Sequence, residues 1–184
     1  MATVNILPNA DVSNSPAWTV PGGLSPVWAL LDDDHSGPPA SDSSQINTLA
    51  AGKKCVVQFQ DFDNTDVASI DSVQAVLRVG QVGRGRTYTI GMTITNSTGG
   101  THWAEETIKD TSSLGWNTNT FTSRTTSTSG GSEWTDIEID RIAMEIHAHT
   151  ISSGVLRVTY AYFIVTYTET VAVTDNSTFF GANF

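Results

Sequence analysis

The chain has 184 residues, 39% hydrophobic and 15% charged, which suits one well-buried domain and leaves little for a second. Its 9 Lys and Arg against 19 Asp and Glu give a net charge of -10, which argues against a nucleic-acid binder, whose basic face must neutralise phosphates. The lone Cys55 excludes a disulfide framework and a cysteine-based zinc site, and reads as a small buried thiol.

All 6 prolines, Pro8, Pro16, Pro21, Pro26, Pro38 and Pro39, fall near the amino end with Gly22, Gly23 and Gly37. This composition predicts an extended, irregular arm over residues 1–45 with short strands such as Val27–Leu31, lying along another surface. Met1–Ala10 lacks the basic and apolar regions of a signal peptide, and no apolar stretch approaches the roughly 20 residues that span a bilayer. Residence in a cytoplasm, with no membrane partner, is the expectation.

Regular alternation then predicts a β-sandwich core over 46–171. In Lys54–Gln60, Cys55, Val57 and Phe59 share one face. In Asp71–Val79 the inward set is Val73, Ala75, Leu77 and Val79. The Gly-rich segment 80–85 leads into Arg86–Thr95, with Tyr88, Ile90, Met92 and Ile94 inward, and a hairpin-like pair is expected. Thr101–Ile108 reads as a weaker strand, Thr111–Thr118 as loop, and the Thr-rich Phe121–Thr128 as an exposed edge strand. In Trp134–Asp140, Thr135 and Glu138 have the spacing of a capping box on a short helical turn. Arg141–Thr150 follows, with Ile142, Met144, Ile146 and Ala148 inward, and Ser152-Ser153-Gly154 links it to the long run Val155–Val171. That run is dense in β-branched and aromatic residues. The whole is an all-β, antiparallel jelly-roll or Greek-key sandwich. The segment 172–184 is a tail whose Phe179, Phe180 and Phe184 need a surface to bury them.

Few residues suggest chemistry. Asp32 and Asp34, before Gly37, match the opening of a calcium loop, but its twelfth position is Ser43 rather than an acid. Asp61, Asp63 and Asp66 form a similar acidic turn. His147 and His149 lie two apart on a strand and share a face with Glu145, a trio able to ligate zinc. An outward-facing polar pair is the plainer reading, so no metal and no cofactor is assigned. Arg84 and Arg86 stand in a Gly-rich loop that lacks the Lys-Ser/Thr of a phosphate loop. No nucleophile motif is present. Glu105-Glu106, or Asp136 with Glu138 and Asp140, could be offered as glycosidase carboxylates, but paired acids are common on any acidic surface, and no enzymatic role is expected.

Several stretches together resemble small jelly-roll structural proteins of tailed bacteriophages: Asn5-Ile6-Leu7-Pro8-Asn9-Ala10, Trp28-Ala29-Leu30-Leu31-Asp32-Asp33-Asp34, Ser69–Arg78, Trp134-Thr135 and Arg157–Tyr162. The resemblance implies a capsid decoration, or cement, protein on the outer surface of the virion head, made in the host cytoplasm. Its implied partners are the major capsid protein and further copies of itself, as a trimer. Leu7, Trp18 and Trp28 in the amino arm and Phe179, Phe180 and Phe184 in the tail are the expected interface residues. The alternative is a tail-fibre or tail-adaptor domain that binds host glycans through exposed tryptophans such as Trp103.

Overall fold

In a computed structural model, the residues described are 1–14, 18–20, 26–31, 45–81, 87–98, 100–110, 115–128, 131–152 and 154–171. They form ten strands: β1 (Ala2–Ile6), β2 (Pro8–Asn14), β3 (Ile46–Thr48), β4 (Lys53–Phe59), β5 (Val67–Gln81), β6 (Tyr88–Asn96), β7 (Thr101–Asp110), β8 (Gly115–Thr120), β9 (Ile142–Ile151) and β10 (Leu156–Glu169). One helical turn, α1 (Asp136–Asp140), precedes β9.

The strands make two antiparallel sheets. Sheet A runs β1-β10-β5-β8, with β3 also paired to β10, and sheet B runs β2-β4-β9-β6-β7. Taking β3 to β10 in chain order, each successive crossing places the strands as in a jelly roll: β3, β10, β5, β8 in one layer and β4, β9, β6, β7 in the other. The strand order alone therefore establishes the expected jelly roll. Strands β1 and β2 extend it, one on each sheet.

Alternation drives the packing. Cys55, Val57 and Phe59 of β4, Val73, Ala75, Leu77 and Val79 of β5, and Ile142, Met144, Ile146 and Ala148 of β9 are all fully buried between the sheets. Phe59 meets Phe163 of the opposite sheet edge to face, with ring centroids 4.6 Å apart. In β10 the inward phase switches. Leu156 and Val158 are buried before a bulge at Thr159, and Ala161, Phe163 and Val165 after it. Gly154, at φ 94°, takes the left-handed conformation that the short link between β9 and β10 requires.

Several expectations need correction. Residues 2–14 are not an arm: β1 pairs with β10 and β2 with β4, because their backbone groups complete the two sheet edges. Residues 28–30 form a 3-10 turn rather than a strand, held by the Asp11 carboxylate, which accepts hydrogen bonds from the Val27 and Trp28 N–H groups at 2.9 and 2.8 Å. Leu31 follows it into the core, and its carbonyl accepts from Ala161 N–H at 3.1 Å. Strands β5 and β6 are not a hairpin, since they lie in different sheets. Both bear an apolar face, and alternation does not say across which layer that face is buried. Gly115–Thr120, whose residues up to Thr118 fall in the stretch expected as loop, is an edge strand bonded to β5, and its polar Asn and Thr residues hide it from an apolar pattern. Phe121–Thr128 is irregular, its ladder pairing reduced to isolated bridges such as Val73 with Arg124, and Phe121 is buried in the core.

Candidate functional site

Among the described residues, the outer face of sheet B carries the clearest convergence of chemical groups. With Ile142, Met144, Ile146 and Ala148 pointing inward, β9 turns Glu145, His147 and His149 outward. Across β4, Lys54 meets Glu145 at 2.6 Å as an ion pair. Thr93 and Thr95 of β6 stand on the floor, only 8% and 6% exposed. The Thr95 hydroxyl is buried without a hydrogen-bond partner. Val12 and Ser13 of β2 close one end and Thr101, Ala104 and Glu105 of β7 the other, framing a depression of about 420 Å³ across all five strands.

Glu105 gives the site its geometry. It lies on β7, whose bulge against β6 frees it to reach over β6 towards β9. His147 Nδ1 lies 3.1 Å from Glu105 Oε1, and His149 Nε2 contacts the same oxygen. The two imidazoles are 3.8 Å apart, centroid to centroid. The crossing is possible because β6 has Gly91 there: a Cβ at that position would overlap the Glu105 carboxylate and lie 2.8 Å from His149 Nε2.

The histidine pair was visible from its spacing, but the third member was taken to be Glu145, which is instead occupied by Lys54. Glu105 was missed because the strand that delivers it is two places away from β9, a relation that no local pattern encodes. The glycine inside β6, on the same face as Thr89, Thr93 and Thr95, was the available signal.

The other candidates fall elsewhere. Glu105 and Glu106 do not act as a pair: Glu106 binds Arg124 at 3.1 Å and accepts from Thr122 N–H, away from the histidines. Asp136 accepts from Asn64 at 2.7 Å, Asp140 accepts from Phe62 N–H at 3.0 Å, and Glu138 completes the capping box on α1. Asp63 accepts from the Thr65 hydroxyl and N–H, which holds its carboxyl below the ordinary range. Trp18, expected at an interface, is 2% exposed and belongs to the core of the chain itself. Trp28 packs half-buried against that core, and Leu7 is half-buried at the link between β1 and β2. Trp103 stacks on the Arg124 guanidinium 4.3 Å from its centroid and donates to the Thr126 carbonyl, so it does not offer the exposed ring expected of a sugar platform. Asp32, Asp34, Arg84, Arg86, Phe179, Phe180 and Phe184 lie outside the described residues.

No protein-family model matches the chain, and no curated protein does. Among solved structures, it is similar to an arabinose-bound GH51 α-L-arabinofuranosidase at 9% identity and a TM-score of 0.47, over 88% of this chain and 26% of that one. The chain thus spans about a quarter of that enzyme. It is also similar to a CBM4 module, at 10% identity and a TM-score of 0.40, over 88% of this chain and 95% of that one. A xylan-binding module, CBM15, shares 13% identity at a TM-score of 0.33, covering 92% of this chain and all of that one. The jelly roll itself rests on the strand order described above.

Proposed function

We propose that the chain is a non-enzymatic binding module that holds a polyhydroxylated ligand, a glycan of a receptor or matrix, on the outer face of sheet B. The observation that carries this reading is the groove floor: the buried Thr95 hydroxyl has no partner, beside Thr93 and the Lys54–Glu145 pair. A buried polar atom left unpaired costs about 1–3 kcal/mol, and rotation of the Thr95 side chain about χ1 to bring its hydroxyl up to a ligand hydroxyl in the groove would recover that. Adjacent ammonium, carboxylate and hydroxyl groups on a rigid sheet supply the donors and acceptors that fix a sugar's orientation.

The test is binding of a glycan panel by affinity electrophoresis and calorimetry. Thr95→Val and Lys54→Ala should each weaken the bound glycan's affinity roughly 2- to 10-fold, the range expected for one hydrogen bond. Absence of any glycan ligand, or an affinity untouched by both substitutions, would refute the reading.

A second reading keeps the module in a virion, as a head decoration protein contacting the major capsid protein and copies of itself. Leu49 favours it, being 74% exposed beside Thr19, Asn47, Ala50 and Val155 around an apolar depression. Hundreds of copies on icosahedral axes of a purified particle would support that placement. A handful at one vertex would assign the module to the tail.

A further inference from the structure

The Glu105, His147 and His149 side chains form more than a surface ion pair. Their ligand atoms lie within 4.8 Å of one another, and they come from two strands separated by a third. An ordinary His–Glu contact needs one imidazole; here both rings converge on the same carboxylate oxygen through different nitrogens, Nδ1 of His147 and Nε2 of His149. Two imidazoles and a carboxylate around one point are the donor set of a transition-metal cation. Tetrahedral zinc with bonds of about 2.0–2.1 Å sets its ligands roughly 3.3–3.5 Å apart, within the reach of these atoms after small side-chain rotations.

A second observation comes from a residue that is not itself a ligand. Glycine in the interior of a strand weakens it and marks a place where another group approaches closely. Gly91 sits where any larger residue would push Glu105 away from the histidines. We infer that Glu105, His147 and His149 bind one divalent transition-metal ion of the zinc class, using three protein ligands and leaving a coordination position open for water or a ligand oxygen. The fourth side is open because Glu105 also lines the groove.

The experiment uses the full chain, stripped with a chelator and titrated with Co2+ alone. One equivalent should bind with the visible absorption of four- or five-coordinate cobalt, and Zn2+ should displace it and raise the melting temperature. Glu105→Gln and His149→Ala should each weaken binding on the order of 100-fold, and Gly91→Ala by about 10-fold, since supporting residues around metals commonly carry 10- to 100-fold. Circular dichroism of each variant reports that the sandwich is intact, and Glu105→Gln, on an exposed side chain, keeps the test open should a histidine variant misfold. Wild-type chain that takes up no cobalt, or folded Glu105→Gln protein that binds it as well as wild type, overturns the inference. Neither outcome bears on glycan binding through Thr95 and Lys54, which are not among these ligands.

Discussion

Cys55 lies fully buried on β4, and burial pushes its thiol well above the usual cysteine range, with the Asp11 and Glu145 carboxylates adding to the effect. The thiolate is the reactive form, so folding should silence this residue twice over, by closing access and by holding the proton. In native protein at pH 8, a thiol reagent such as iodoacetamide should modify Cys55 only at the rate of global unfolding, while in denaturant it should react at once. Rapid native modification would mean that the β2–β4 side of the sandwich opens locally. Gly91 shows the opposite use of a small residue: what matters there is the space its missing side chain leaves for a carboxylate to pass.

Among the elements, α1 is the most fully specified by its own residues. Thr135 caps it, its side chain accepting from Glu138 N–H at 3.3 Å, while the Glu138 carboxylate accepts from Thr135 N–H at 2.9 Å. Partial burial raises the Glu138 pKa, but the Thr135 N–H, the Ser127 and Thr135 hydroxyls and nearby His102 outweigh it and leave the carboxyl below its ordinary 4.5. A carboxyl depressed in the folded state contributes stability above its unfolded pKa and loses it as pH falls through the folded value. Urea midpoints measured from pH 7 down to pH 3 should therefore stay level as far as Glu138 is concerned until about pH 4.5 and then decline. Glu138→Gln should make that decline shallower, and an unchanged slope would show that the cap carries no charge-dependent stability. This turn was readable in the sequence because its code is local, three residues apart on one chain. So were the inward faces of β4, β5, β6 and β9, since a period of two exposes them directly. Strand β8 escaped because an edge strand needs no apolar set, and its hydrogen bonds go to a partner more than 30 residues away.

For the molecule as a whole, the sandwich class was legible, but the sheet to which each strand belongs was not. Alternation marks one face of a strand without naming the layer it meets, so β5 and β6 read as a hairpin. Compositional reading also made an arm of residues 2–14, because proline suits edge strands as well as irregular chain. The groove on sheet B depends on that whole arrangement, since its five strands come from positions 8 to 151. The amino-terminal strand has a protective role at the same scale. β1 covers Phe163–Tyr167 of β10, the longest antiparallel ladder in sheet A being the one β10 makes with β5 on its other side. Removing Met1–Ile6 would bare that edge, and exposed edges are templates for association. The truncated chain should melt at a lower temperature and scatter light on standing, whereas a truncation as stable and monodisperse as the full chain would deny β1 this role.

The same pairing bears on how the protein is made. Ala2 to Ile6 bond to Tyr167 to Phe163, so during synthesis β1 finds its partner only once β10, far along the chain, has emerged. At about 5–20 residues per second the delay is on the order of ten seconds, far longer than the microseconds in which local structure forms. Through that interval Val4 and Ile6 stay unpaired on the nascent chain. The sandwich closes only when β10 is available, and a holding chaperone acting on β1 would meet an unpaired strand throughout that interval.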